Sequence, residues 1–246
     1  MTYGIICAMP EEFGVVEDLI TCKKITKLFS RDFIEGKINS NNIVATVSRI
    51  GKVAAAMTTT LMIEHFKVDK IIFCGIAGGL SDSINIGDIV IGSSCVQHDF
   101  YLSDNDIFRI PLLNISSIPC DKELSYALKN AATDFSLNAD NDIELKNFFD
   151  SANIKKPDVF TGVIASGDQF ISSSEKKNWI KEKIENVLCV EMEGAAVAQV
   201  CYEAGIPCGI LRVISDGADE NADVSFDDFV SAASLYSKGI LREFFK

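Results

Sequence analysis

The sequence predicts an α/β fold, a single-domain three-layer architecture in which helices flank a central mixed, largely parallel sheet. Three observations predict it. Short β-branched runs alternate with longer segments of helical period, and strand, helix, strand repeated implies parallel strands covered on both faces. The 246 residues, 48% of them hydrophobic, contain no Pro/Gly/Ser-rich linker, so residues 1–246 read as one domain with a sizeable core. Neither an internal repeat nor a low-complexity tract points elsewhere.

The elements follow in order. "YGIICAM" reads as the first strand and "PEEFGVVEDLI" as its helix, with Pro10 at the first helical position. "DFIEGKINSNNIVATVSR" reads as an added hairpin turning at Asn41 and Asn42, and its second half leads into the helix "GKVAAAMTTTLMIEHF". "KIIFCGIA" is a further strand. Residues 99–120, "DFYLSDNDIFRIPLLNISSIPC", have no clear period and carry Pro111 and Pro119, which predicts a long loop of the kind that often serves function. Beyond it, "DVFTGVIAS" precedes the helix "SEKKNWIKEKI", "NVLCVEM" precedes "EGAAVAQVCYEAG", and "CGILRVISD" precedes a final helix from about Ser225.

Composition excludes several classes of function. A net charge of −12 argues against a nucleic-acid or anionic-membrane partner, since both require clustered Lys and Arg. No apolar stretch reaches a membrane span, and "MTYGIICAMPEEF" lacks the basic start of a secretory signal, so a soluble, untargeted, cytoplasmic protein is expected. Eight cysteines form no CxxC pair and several lie in apolar segments, which suits free buried thiols in a reducing compartment. The two histidines, His65 and His98, lack zinc-site spacing, so neither a metal nor another cofactor is expected.

In open α/β sheets ligands bind beyond the carboxyl ends of strands, so the residues that follow each strand are the candidates. After the first strand come Ala8, Met9, Pro10, Glu11 and Glu12; after "KIIFC" comes "GIAGG"; after "NVLCV" come Glu191, Met192 and Glu193; after "ILRVI" come Ser215 and Asp216. The glycines of "GIAGG" fit a tight turn or a cradle for phosphate or ribose, although the spacing is not that of a dinucleotide site. Glu11 reads as a solvated capping residue, and Glu12 as either a cap or a catalytic carboxylate. Asp216 fits a turn, or a protonated acid that donates to a ring nitrogen of a departing base. Glu193, beside the adaptable Met192, could accept hydrogen bonds from ribose hydroxyls, which would offset its desolvation. Glu191 is expected to pair with Arg212. A carboxylate to activate water, an acid to protonate a leaving group and a hydroxyl-binding glutamate together suit cleavage of a glycosidic bond.

"GIICAMPEE", "RIGKVAAA" in place of "GIGKVAAA", "GIAGGL", "GDIVIG", "ASGDQFI", "VEMEGAAVAQVC", "RVISDGAD" and "SFDDF" run in order along nearly the full chain. In this combination the sequence resembles the methylthioadenosine/adenosylhomocysteine nucleosidase family of the nucleoside phosphorylase and hydrolase superfamily. The resemblance implies a nucleoside phosphorylase-like fold and hydrolysis of the N-glycosidic bond, with adenine released. It makes Glu12 the base for the attacking water and Asp216 the acid that protonates adenine N7. Glu193 then binds ribose hydroxyls with Met192 packed on the sugar, Phe170 stacks on adenine, and the backbone of Ile171 reads the base's edge. Ala8, Ile50, Ser215, Phe226 and Arg212 become pocket positions, Arg212 near the water. Ile76 stands where the family carries a serine, so a hydrogen bond near the water or sugar is lost. The family's homodimer implies that one subunit's loop covers the other's 5′-substituent, and Leu102, Phe108 and Pro111 are the candidates here, in a loop that departs from the family's pattern.

Four alternatives stand beside this reading. A nucleotide-binding domain of Rossmann type, its sheet-edge acids only caps, would need a Gly-rich helix start followed about twenty residues on by an acid, which this chain lacks. A purine nucleoside phosphorylase would need cationic phosphate-binding groups after the first strand, where this chain has "MPEEF". An aminofutalosine nucleosidase would share the catalytic residues and differ in its 5′-pocket. A non-catalytic adenosine sensor would not need both Glu12 and Asp216.

Overall fold

Strand β1 (Thr2–Cys7) runs into helix α1 (Pro10–Glu17), and three strands follow, β2 (Thr21–Leu28), β3 (Arg31–Ile38) and β4 (Asn41–Val47). Helix α2 (Lys52–Glu64) leads to β5 (Lys70–Gly79), β6 (Ile89–Gln97), the two-residue β7 (Ile118–Pro119) and helix α3 (Lys122–Asn138). The remainder is β8 (Val159–Ser166), α4 (Ser174–Lys183), β9 (Val187–Glu191), α5 (Gly194–Ala204), β10 (Cys208–Asp216) and α6 (Ala222–Phe244). This computed structural model describes residues 1–103, 107–139, 146, 155–220 and 222–246.

One mixed sheet holds all ten strands, in the order β10-β6-β8-β9-β5-β1-β4-β3-β2 with β7 on β6, and β5 also pairs with β10. The mixed character is as expected, and the strand pairings divide evenly between the two senses. β1–β4, β1–β5, β5–β10, β6–β8 and β8–β9 are parallel, whereas β2–β3, β3–β4, β5–β9, β6–β7 and β6–β10 are antiparallel. Strand β5 is the junction: its neighbours are β1, β10 and, at Gly78 and Gly79, β9. The strand ends that carry the candidate acids therefore meet around it.

Helices cover both faces. On one, α1, α3 and α6 bury Phe13, Leu128, Phe135 and Tyr236 against Ile5, Ile72 and Leu211. On the other, α2 and α5 bury Met62 and Val197 against Ile6, Phe73 and Ile210. Burying each such large apolar side chain contributes roughly 1.5–3 kcal/mol. Helix α4 closes a smaller cluster through Ile180 and Trp179.

Four local expectations are corrected. The β3–β4 hairpin turns at Asn39 and Ser40, not at Asn41 and Asn42, because Asn39 takes the left-handed conformation (φ 52°) and Ile38 pairs with Asn41. The last helix starts at Ala222, three residues before Ser225. "GIAGG" is no turn: it is the last stretch of β5, and none of its glycines has positive φ. The 99–120 segment is not without regular structure: it holds the bridges Tyr101–Ile107 and Ile110–Ile115 and strand β7.

Candidate active site

Glu12 lies in the first turn of α1 and is 3% exposed. One carboxylate oxygen accepts the amides of Ala8 (2.8 Å) and Met9 (2.9 Å), and the other accepts the amide of Ile76 in β5 (3.1 Å). It thus caps the helix and faces the pocket at once. Burial raises its pKa above the ordinary carboxylate value, while Arg212 and the three amides pull the other way.

Strand β5 admits the acids by lacking side chains. A Cβ on Gly75 would meet the Glu12 carboxylate at 2.8 Å, and one on Gly78 would meet that of Asp216 at the same distance. The glycines are needed for close approach of side chains from other elements.

Asp216 ends β10, 3% exposed, and accepts from the Ser215 hydroxyl (2.7 Å) and the Ala218 amide (2.7 Å). Burial outweighs these bonds and raises its pKa, which favours the protonated form that can donate.

Two buried glutamates flank Met192. Glu191 ends β9 and receives Arg212 at 2.6 Å, as expected; it also accepts the amides of Glu193 (3.1 Å) and Gly194 (2.7 Å) and the Ser166 hydroxyl. The Arg212 guanidinium lies 4.1 Å from the Phe73 ring centroid and donates to the Phe73 and Leu211 carbonyls. Glu193, 5% exposed, accepts the Gly51 amide at 2.7 Å. Its pKa is raised to about 8, first by burial and then by the neighbouring Glu191.

A polar clamp joins the two loops that carry Gly51 and Phe170. Asp99 receives the Lys52 ammonium at 2.5 Å and the Asp168 amide at 2.8 Å, and Asp168 receives the Lys52 amide at 2.8 Å. Beside it His98 is buried with neither ring nitrogen hydrogen-bonded, and burial lowers its pKa to about 4, so the ring is neutral.

One pocket brings together Glu12, Asp216, Glu193 and Met192 with Phe170, Ile171, Ala8, Ile50, Ile76 and Ser215. Phe170 (45% exposed) and Ile50 (55%) present apolar faces at its mouth. Arg212 stands outside the lining, behind Glu191. Phe226 belongs to the part of α6 whose side chains fall outside the described residues. Leu102 and Pro111 are exposed and do not line this pocket, whereas Phe108, expected beside them, is buried, its ring edge-on to Trp179 at 5.9 Å. Sequence reasoning missed Gln169 and Val190 as lining residues and did not place Met9, Ala77 or Gly78 in the site. Adjacency to Phe170, Glu191, Ala8 and Ile76 was the available signal. Among the described residues no group of three or more His, Cys, Asp or Glu could hold a metal ion, and no helix is long and apolar enough to cross a membrane.

Residues 2–246 match the Phosphorylase superfamily. Among curated proteins, the 5′-methylthioadenosine/S-adenosylhomocysteine nucleosidase of Bacillus thuringiensis (strain Al Hakam) is 33% identical over 241 residues, covering 98% of this chain and 96% of the relative. Among solved structures, the nucleosidase of that name from Neisseria meningitidis, in complex with methylthio-immucillin-A, superposes with a TM-score of 0.87 at 32% identity, covering 99% of this chain and 97% of the other. The futalosine hydrolase of Helicobacter pylori strain 26695 superposes with a TM-score of 0.85 at 34% identity, with the same two coverages.

Proposed function

The chain belongs to the Phosphorylase superfamily and, within it, to the 5′-methylthioadenosine/S-adenosylhomocysteine nucleosidases, and from that premise we propose that it hydrolyses the N-glycosidic bond of those two nucleosides, releasing adenine and the 5-thioribosyl sugar. The observation that carries the reading is the convergence of Glu12, Glu193 and Asp216 on one pocket whose mouth holds the half-exposed Phe170 ring.

In this reading Glu12 orients and deprotonates the attacking water, its three amide bonds fixing the carboxylate. Asp216 transfers its proton to adenine N7 as the bond to the sugar breaks, so the base leaves neutral. The oxocarbenium-like sugar forms between them. Glu193 holds ribose hydroxyls, Met192 packs on the sugar, Phe170 stacks on the base, and the Ile171 backbone reads its edge. Ala8, Ile50, Ile76 and Ser215 shape the walls. Arg212 acts indirectly, holding Glu191 and biasing Glu12 towards its ionised form.

The free cysteines, seven of them buried, suit a cytoplasmic enzyme. A homodimer is supported by apolar side chains left in water near the mouth, Ile50 and Val53, and along the 99–120 segment, Leu102 and Leu112. Leu102 and Pro111 remain the residues offered to the neighbouring site.

The test is adenine release from methylthioadenosine, adenosylhomocysteine, adenosine and aminofutalosine in phosphate-free buffer and with phosphate added. Release without phosphate is expected for the first two. Release that depends on phosphate would make the enzyme a phosphorylase, and cleavage confined to aminofutalosine would select the alternative suggested by the Helicobacter pylori neighbour.

A further inference from the structure

A second pocket adjoins the first across a shared wall of Ala8, Met9 and Ile50. It is lined by Lys27, Arg31 and Arg49 against one carboxylate, Asp32, on a chain whose net charge is −12. Asp32 is already committed to Lys27 at 3.5 Å.

Both arginines are placed at a cost. Arg49 has φ 74°, a left-handed conformation that a glycine adopts freely, and it stands where the resembling motif "GIGKVAAA" begins with one. Arg31 is 5% exposed, and its buried Nε has no hydrogen-bond partner. Its remaining nitrogens donate to the carbonyls of Phe29 and Ser48, both at 3.0 Å, and Arg49 donates to that of Ser30 at 2.7 Å. Carbonyl oxygens orient these guanidinium groups without neutralising them. The two also repel: the charge of Arg49 adds to burial in lowering the pKa of Arg31. An anion among these cations would relieve the repulsion.

We propose that this pocket is a subsite for a carboxylate carried by the 5′-substituent of the nucleoside, a specificity that rests on the nucleosidase reading above. The shared wall includes none of Phe170, Ile171 or Asp216, the groups assigned to adenine, so the pocket adjoins the site away from those groups.

The test compares 5′-S-(3-carboxypropyl)-5′-thioadenosine with its neutral carboxamide, alongside methylthioadenosine. The wild-type protein should prefer the carboxylate in kcat/KM by about tenfold. Arg49→Gly, which also relieves the left-handed backbone, and Arg31→Gln should each bring that ratio towards one. A wild-type ratio near one, or a ratio that both variants leave unchanged, overturns the proposal while hydrolysis of methylthioadenosine still supports the nucleosidase reading. If no nucleoside is cleaved, that reading fails, and calorimetric binding of the same two compounds decides the subsite: tighter binding of the carboxylate that is lost in Arg49→Gly supports it, and equal affinity overturns it. Stimulation of adenine release by inorganic phosphate would assign the cations to a phosphate co-substrate and overturn it too.

Discussion

Arg212 donates to Glu191 at 2.6 Å with both side chains buried, Glu191 in the pocket lining and Arg212 behind it, and the same carboxylate caps the start of α5 through the Gly194 amide. The pair explains an ionisable residue in the apolar run "CVEMEGAAVAQVC": one of its two glutamates is neutralised from β10. Removing one partner of a buried ion pair leaves the other charge uncompensated, at about 3–5 kcal/mol. Arg212→Met and Glu191→Gln should therefore each lower unfolding stability in urea by about that much, and the double variant by less than the sum. Additive losses would show that the two side chains do not depend on one another.

Asp216→Asn keeps the size of the side chain and one oxygen, which can accept from the Ala218 amide while the new NH₂ group faces the Ser215 hydroxyl, but it removes the transferable proton. Proton donation to a departing base matters in the transition state, so kcat should fall by roughly 10²–10⁴ while the affinity for adenine or a stable nucleoside analogue changes little. Near-wild-type turnover would remove Asp216 from the role of acid.

Much of the site was legible because its acids interrupt apolar strand and helix patterns at strand ends. Glu12, Glu193 and Asp216 were found in that way, and the Glu191–Arg212 pair followed from charge balance. "GIAGG" was misread because a glycine signals a turn and a close approach equally well. The atoms it makes room for belong to Glu12 and Asp216, far away in the chain, and no local pattern shows them. Strand β2 carried little signal because nearly all of it is exposed, with lysines along a sheet edge. The 99–120 segment was readable as irregular, but whether Phe108 turns inward depends on Trp179 across the fold.

Glu12→Gln retains an oxygen for the amides of the helix start or for that of Ile76, while its new NH₂ group faces the remaining donors. The variant can no longer accept a proton from water. Turnover should fall by roughly 10²–10⁴, with binding of adenine retained. Turnover that persists at saturating substrate, with only KM raised, would contradict a role in water activation.

Glu193 links binding to pH. Its pKa, raised to about 8 by burial and by Glu191, means that the ligand-free protein holds a proton there that the unfolded chain has lost. The stability contributed by that proton is present at low pH and declines as pH rises from about 4.5 to about 8, and Glu193→Gln should remove this part of the decline. Ribose hydroxyls donating to the carboxylate favour its ionised form, so a bound nucleoside should lower the pKa and release a proton near neutrality. Nucleoside affinity should then strengthen as pH rises towards 8, while the affinity for free adenine, which lacks those hydroxyls, follows no such trend. Calorimetry in two buffers of different ionisation enthalpy reads the proton directly. Equal proton release with adenine and with nucleoside, or release that survives Glu193→Gln, would place the titrating group elsewhere.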